Sequence, residues 1–290
     1  MTSWTATDLP SFAGRAVIVT GANSGLGAVT ARELARVGAS VTLAVRDTAK
    51  GQAAAAGMPG DVTVRALNLA DLSSVRRFAE ETSKVDVLIN NAGIMAVPYG
   101  KTDDGFESQI GTNHLGHFAL TNLLLRTITD RVVTVSSYMH RMGNISLKDL
   151  NWESRRYSAW RAYGQSKLAN LLFTSELQRR LVAAGSPVRA LAAHPGYSNT
   201  NLQGHTGNRV GDALMRTIGN GLLATNADFG ARQTLYAASQ DLSGNTYIGP
   251  RFAFIGRSGP VGRSLLAKRG STAAGLWDLS AQLTGVQFPL

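Results

Sequence analysis

The 290 residues and the 44% hydrophobic content are enough for one large or two small domains with a full core. The chain contains no cysteine, which excludes disulfides, thiolate zinc sites and a cysteine nucleophile. Its net charge of +10 is concentrated in residues 146–290, but the basic residues are scattered and form no nucleic-acid-binding motif. We therefore expect a solvated arginine-rich surface and no nucleic-acid partner.

Signals of membrane insertion are also absent from the sequence. No apolar run reaches the length of a membrane helix, and residues 1–10 lack a basic-then-apolar pattern. This predicts a cytoplasmic protein and argues against a membrane partner. One alternative stays open, because residues 251–269 carry five basic residues and no acid and are thus suited to anionic membranes.

The first predicted unit is a strand, a glycine-rich turn and a helix. The apolar run Arg15–Thr20 is typical of a buried parallel strand, and an amphipathic helix follows to about Val37. Between them, Gly21 permits a tight turn, Gly25 lets the backbone approach a pyrophosphate and Gly27 lets the helix pack closely. The helix N-terminus offers free N–H groups to phosphates. This arrangement predicts a dinucleotide site.

The second predicted strand, Ser40–Val45, ends in Arg46 and Asp47, and these two residues bear on the choice of cofactor. A guanidinium at this position suits a ribose 2′-phosphate, whereas a carboxylate suits a free 2′-hydroxyl. Because Arg46 comes first, we predict NADP(H). Asp47 keeps NAD(H) open as the alternative.

The remaining elements alternate between strands and helices. Further strands are predicted at Val62–Asn68, Val85–Ile89, Arg131–Ser136, Val188–Ala193 and Thr246–Ile248. Helices are predicted at Asp71–Ser83, Phe106–Arg126, about 161–184, Asp228–Gln240 and Leu276–Leu283. The fold class is therefore α/β, with one Rossmann-type, doubly wound parallel sheet of about seven strands across a single domain of residues 1–290. Residues 197–222 are predicted to be a mobile lid over the substrate.

One predicted helix carries Tyr163 and Lys167, which lie four residues apart and therefore on one face. A nearby ammonium favours the phenolate, so we expect the pKa of Tyr163 to fall and the phenol to act as a general acid or base. By contrast, His114 and His117 have no third ligand nearby in the sequence. We expect them to be structural and predict no metal site.

Several motifs follow one another in a characteristic order. They are the glycine turn of Thr20–Gly27, Asn-Asn-Ala-Gly at Asn90–Gly93, Asn113, Ser137, Tyr163 with Lys167, and Pro195-Gly196 with Thr200. With this set the chain resembles the short-chain dehydrogenase/reductase family over nearly its whole length. The gap of 26 residues between Ser137 and Tyr163, and Asn113-His-Leu-Gly-His-Phe, are similar to the retinol-dehydrogenase-like branch.

The resemblance implies a role for each matching position. The catalytic residues would be Asn113, Ser137, Tyr163 and Lys167. The cofactor would contact Gly21, Asn23, Ser24, Gly25, Leu26, Gly27, Arg46, Asn68, Leu69, Asn91, Ala92, Gly93, Tyr163, Lys167, Pro195, Gly196 and Thr200. Asn68 departs from the aspartate that the family usually has, although its side-chain carbonyl can still accept a hydrogen bond from adenine.

These assignments predict hydride transfer between NADP(H) and the carbonyl or alcohol group of a small apolar molecule. Candidate pocket walls are Met139, Trp152, Tyr157, Trp160, Tyr197 and Met215. The alternative is a non-catalytic NAD(P)-binding sensor or scaffold. The resemblance allows a homodimer or a homotetramer.

Overall fold

The computed structural model describes residues 4–196 and 227–290. Its strands form one sheet in the order β3-β2-β1-β4-β5-β6-β7-β8. The strands are β1 (Ala16–Thr20), β2 (Ser40–Val45), β3 (Val62–Ala66), β4 (Val85–Asn90), β5 (Ile128–Val135), β6 (Arg189–Ala193), β7 (Tyr247–Pro250) and β8 (Ser258–Pro260). All pairs are parallel except β7 with β8.

The strand order reverses between β1 and β4, so the carboxyl ends of these two strands open into one crevice. In open α/β sheets, ligands bind at this switch point. The predicted doubly wound parallel sheet is confirmed, with eight strands where about seven were expected. The additional strand, β8, has three residues that include a glycine and a proline, and it shows no alternation by which a strand is recognised.

Helices cover both faces of the sheet. They are α1 (Gly25–Arg36), α2 (Thr48–Ala55), α3 (Leu72–Glu80), α4 (Ser108–Ile110), α5 (Gly116–Leu124), α6 (Ala159–Ala183), α7 (Ala227–Ser239) and α8 (Gly270–Thr284). Alternate β1 residues face opposite ways: Val17 and Val19 pack in the core with α1 and α7, whereas Ile18 packs with α3, α5, α6 and α8. Burial on both faces explains the continuous apolar runs of the strands.

Two departures from the predicted elements have local causes. Helix α2 was not predicted because it is alanine-rich and buries only Gly51, so it shows no apolar face. The predicted helix Phe106–Arg126 is interrupted by a π-helical turn at Gly111–Leu115, between α4 and α5. Such turns often occur at functional sites. None of the helices in the described ranges is long and apolar enough to span a bilayer.

Candidate active site

A cleft of about 480 Å³ opens at the switch point. Its described lining contains three cations, Arg46, Lys101 and Lys167, and no carboxylate. Most of the predicted cofactor residues contribute to this lining: Gly21, Asn23, Ser24, Gly25, Leu26, Gly27, Arg46, Asn68, Leu69, Asn91, Ala92, Gly93, Tyr163, Lys167 and Pro195. Gly196 directly follows Pro195, and Thr200 lies outside the described residues, as does the predicted lid. The positive, carboxylate-free lining suits a polyanionic ligand.

The N-terminus of α1 forms one end of the cleft. The cap residue, Ser24, makes no capping bond with its side chain, and the first turn contains no acidic residue. The free N–H groups and positive dipole end of the helix are thus available to an anion. Gly21 and Gly25 have φ values of +65° and +54°, which explains why the turn needs glycine.

Two further glycines are required because other groups approach them closely. A Cβ atom on Gly27 would lie 2.5 Å from the Gly21 carbonyl oxygen and 2.5 Å from Asn91 Nδ2. A Cβ atom on Gly93 would lie 3.1 Å from Asn113 Oδ1 and 3.3 Å from Lys167 Nζ. Both glycines therefore let the turn and the loop after β4 pack closely around the cleft, and the residues present fit a dinucleotide cofactor.

Arg46 and Asp47 have different surroundings after β2. Asp47 caps α2, where its side chain accepts a hydrogen bond from the Lys50 N–H at 3.0 Å and pairs with Lys50 Nζ at 3.0 Å. These contacts hold the pKa of Asp47 below its usual value. Arg46 is exposed, lines the cleft and has no carboxylate partner in the part of the chain that the structure describes.

The buried Thr20 hydroxyl joins the ends of β1 and β4. Its oxygen accepts hydrogen bonds from the backbone N–H groups of Asn91 and Ala92, both at 2.9 Å. Thr20 Oγ1 also lies 2.9 Å from His117 Nε2, while His117 Nδ1 lies 3.1 Å from the Asn113 carbonyl oxygen. If Nδ1 donates to that carbonyl, Nε2 accepts the Thr20 proton. With this tautomer, hydrogen bonds connect Thr20 through His117 to the Asn113 carbonyl. The sequence alone did not reveal this role for His117.

Asn113 lies in the π-helical turn and binds the loop after β4. Its Oδ1 accepts the Ile94 N–H at 2.8 Å, and its Nδ2 donates to the Ile94 carbonyl and to Ser166 Oγ, both at 2.9 Å. Lys167 Nζ donates to the Val135 carbonyl at 3.2 Å. Two of the predicted catalytic side chains are thus fixed by main-chain atoms.

Tyr163 and Ser137 complete the group. Ser137 follows β5, and its side chain bonds with the buried Tyr163 phenol, whose ring centroid is 5.7 Å from Lys167 Nζ. The neighbouring Ser136 hydroxyl donates instead to the Lys167 carbonyl at 2.7 Å. Only the second serine of the pair therefore has its hydroxyl beside the phenol, and Ser137, Tyr163, Lys167 and Asn113 come together at one end of the cleft.

The lowered pKa predicted for Tyr163 is wrong for this structure. Burial raises the pKa of Tyr163 to about 12, and the Ser137 hydrogen bond offsets only part of this effect. Burial also lowers the pKa of Lys167 to about 8. The sequence argument considered the attraction between the two groups but not the desolvation that acts on both. The phenol is accordingly protonated at neutral pH.

The aromatic residues predicted as pocket walls have different positions. The Trp160 ring contacts the Tyr163 ring edge-to-face, with centroids 6.3 Å apart. Trp152 and Tyr157 pack against each other outside the cleft lining, and the Tyr157 hydroxyl bonds with Val97 and the buried Glu107. Tyr197 and Met215 lie outside the described residues.

The two histidines near Asn113 are buried in the core. Burial lowers the pKa of His114 to about 3 and that of His117 to about 4, so both are neutral at pH 7. His114 Nε2 lies 2.9 Å from Ser280 Oγ. Among the described residues, no group of three or more histidine, cysteine or acidic side chains is placed to hold a metal.

Comparison with known proteins identifies the family. A family model described as short chain dehydrogenase matches residues 15–210. The chain belongs to the short-chain dehydrogenase family. Human retinol dehydrogenase 13 and mouse retinol dehydrogenase 12 are each 43% identical over 95% of this chain, which spans 86% and 88% of their lengths. The solved structure of an uncharacterized protein from Mycobacterium Paratuberculosis has a TM-score of 0.90 and 68% identity, with full coverage of both chains.

These similarities confirm the predicted family and its retinol-dehydrogenase-like branch. They also confirm the coarser predictions that follow from family membership, namely an oxidoreductase with a nicotinamide cofactor and a small-molecule substrate. The homodimer or homotetramer stays a prediction.

Proposed function

We propose that this short-chain dehydrogenase transfers a hydride between NADP(H) and the carbonyl or alcohol group of a small apolar molecule, with Tyr163 as the general acid or base. The observation that carries the proposal is that Tyr163 and Lys167 both line one cationic cleft, with the Ser137 side chain beside the phenol. A binding protein without chemistry has no need of a buried phenol and amine at this point.

Each catalytic side chain has a distinct task in this proposal. The cofactor, when bound, supplies or accepts the hydride. Ser137 holds the substrate oxygen beside the phenol, and Tyr163 donates a proton to that oxygen as negative charge develops on it. The positive charge of the Lys167 ammonium stabilises this developing negative charge. Because the pKa of Tyr163 is about 12, the phenol carries its proton at neutral pH, which is the form that carbonyl reduction requires.

Arg46 supports NADP(H) as the cofactor. Its guanidinium stands at the cleft with no carboxylate partner among the described residues, whereas the carboxylate that would favour NAD(H), Asp47, is engaged in capping α2. A carboxylate bonded to Lys50 is poorly available to a ribose hydroxyl. An unpaired guanidinium suits a 2′-phosphate.

An apolar substrate is supported by the surroundings of the phenol. The Trp160 ring flanks Tyr163, and the Tyr138 ring, one residue after Ser137, packs against Phe254 with centroids 5.1 Å apart. These rings offer an apolar approach to a reactive group that is itself polar, as small-molecule sites commonly do.

Tyr163→Phe tests the proposal with the smallest possible change. We expect kcat for NADPH-dependent reduction of a panel of apolar aldehydes and ketones to fall by about 10²–10⁴-fold, the usual contribution of a general acid. The dissociation constant for NADP⁺, measured by calorimetry, should change less than about twofold, since the phenol oxygen contributes little to binding energy. Tyr99→Phe is the matched control, because Tyr99 is exposed and outside the cleft lining.

Two results would contradict the proposal. Undiminished turnover by Tyr163→Phe would remove the phenol from the chemistry. Tight NADP⁺ binding by the unaltered protein, with no turnover of any carbonyl or alcohol in the panel, would instead favour the sensor or scaffold alternative.

A further inference from the structure

The turn between β7 and β8 presents an unusual surface, which we call the hairpin tip and define as residues Arg251–Arg257. Its large apolar side chains point away from the core: Phe252 is 69% exposed, Ile255 50% and Phe254 42%. A soluble surface rarely gathers three such side chains within four residues. Folding alone therefore does not explain why these apolar side chains are exposed.

Backbone bonds hold the tip in this shape. The Arg251 N–H donates to the Arg257 carbonyl at 3.0 Å, and the Phe252 N–H donates to the Ile255 carbonyl at 3.1 Å. Gly256 and Ala253 both take positive φ angles, +108° and +65°. The exposed rings are thus presented by a closed, hydrogen-bonded turn rather than by a loose loop.

The charges of the tip indicate what covers it. Arg251 and Arg257 lie directly opposite each other in the hairpin, and like charges in that position repel. Neither has a carboxylate partner in the ranges 4–196 and 227–290, and residues 251–269 contain no acid. Arg141 adds a third cation nearby, because it lies over the Tyr138 ring, which contacts Phe254. An anion from outside the chain would relieve this repulsion.

We propose that the hairpin tip docks on anionic phospholipid bilayers, with Phe252 and Ile255 entering the interface and the arginines binding lipid phosphates. Aromatic and apolar side chains flanked by cations are the usual composition of peripheral membrane contacts. A second copy of this chain is a poorer fit, because its own tip would bring the same unpaired positive charge. Strand pairing at this edge is also disfavoured, since β8 has only three residues and ends at Pro260.

The location of the tip gives the docking a consequence. Phe254 packs against Tyr138, next to Ser137, and its carbonyl lies against Gly196, where an added Cβ atom would be 2.8 Å away. The tip therefore borders the catalytic end of the cleft. A docked protein would turn this end towards the bilayer, where apolar molecules accumulate. The docking itself goes beyond the proposed function and is measured without turnover.

Vesicle binding is the first test. The full chain should co-sediment with phosphatidylcholine vesicles that contain roughly one third phosphatidylserine, bind far less to pure phosphatidylcholine, and dissociate as salt rises. Arg257→Gln should lower the partition coefficient about fivefold, and Arg251→Gln with Arg257→Gln about 25-fold, at about one kcal/mol for each cation. Arg77 is exposed on α3, so Arg77→Gln removes one charge elsewhere and should change the partition coefficient less than twofold.

Site-specific labelling is the second test. Because the chain has no native cysteine, the label reacts only with the introduced thiol. Phe252→Cys and Val182→Cys replace side chains of similar exposure, 69% and 67%. With an environment-sensitive fluorophore on the thiol, anionic vesicles should shift the emission of the first variant to the blue and leave the second unchanged.

Three outcomes would overturn the proposal. The first is equal binding to neutral and anionic vesicles, and the second is an equal loss of vesicle binding for Arg257→Gln and Arg77→Gln. The third is a fluorophore at position 252 whose emission does not shift when vesicles are added. A response of that fluorophore to rising protein concentration alone would assign the tip to a contact between copies of the chain instead.

Discussion

Thr20→Val removes one buried oxygen and leaves the shape of the side chain nearly unchanged. In the folded protein this oxygen accepts the N–H groups of Asn91 and Ala92 and bonds with His117. Valine can accept neither N–H, so the loop after β4 loses two of its hydrogen bonds to β1 and keeps the one from Asn91 Nδ2 to the Thr20 carbonyl, at 2.8 Å. We expect a loss of stability together with weaker cofactor binding, because the same loop lines the cleft.

The magnitude follows from the number of groups left without a partner. An unmet buried donor or acceptor costs about 1–3 kcal/mol. Asn91 and Ala92 are only partly buried, so water can reach their N–H groups in part, and we expect about 2–4 kcal/mol in total. For a chain of this size that corresponds to a fall in Tm of about 3–7 °C.

Thr30→Val supplies the control, because Thr30 is also fully buried but its hydroxyl has no hydrogen-bond partner within the described part of the chain. There the same substitution removes an unsatisfied polar atom, so stability should be unchanged or slightly higher. Thermal unfolding followed by circular dichroism compares the two variants, and NADP⁺ titration reports on the loop. Equal Tm values for Thr20→Val and Thr30→Val would refute the assignment of Thr20 as the link between β1 and β4.

Three further predictions concern the cleft. Arg46→Ala should weaken NADP⁺ binding at least about tenfold and leave NAD⁺ binding unchanged, as titration of both would show; equal losses would argue against a 2′-phosphate contact. Gly27→Ala should weaken NADP⁺ binding by more than about tenfold, because its Cβ would lie 2.5 Å from the Gly21 carbonyl oxygen, whereas Gly57→Ala has open space and should bind normally. Lys167→Met should raise stability at pH 7 by up to about 3 kcal/mol, since burial lowers the pKa of the lysine from 10.5 to about 8. The folded lysine loses its proton first as pH rises from 8 to 10.5, so the stability of the unaltered protein increases there and the advantage of Lys167→Met should shrink; a constant difference in urea denaturation across this range would contradict the shift.

The sheet could be predicted largely from the sequence, because its strands are buried on both faces and appear as short apolar runs. Strand β1 was placed to within one residue of its observed start. Prediction failed where local sequence carries no such signal. Helix α2 depends on packing of Gly51 against Val45 and Val64, and β8 depends on pairing with β7. Both are set by contacts that are distant in sequence or invisible to periodicity.

The candidate site likewise has features that the sequence predicted and features that it could not predict. The glycines and the Tyr163–Lys167 pair were predictable because each motif has a fixed spacing along one turn or one helix. The role of His117 was not, since it bonds with Thr20 from 97 residues away. The pKa values were also beyond the sequence, because they depend on burial, and burial at the centre of α6 comes from the whole fold.

Main-chain atoms fix two of the four groups proposed for catalysis, Asn113 and Lys167, and this separates the chemistry from the choice of substrate. Lys167 Nζ is held by a carbonyl of β5, and Asn113 by both backbone groups of Ile94. The Val135 carbonyl moves only if the sheet moves, so the position of the Lys167 amine depends on strand register rather than on neighbouring side chains. The rings around the phenol have no such attachment through the sheet. Substitution of Trp160 should therefore change which carbonyl compounds react while leaving proton transfer from Tyr163 intact.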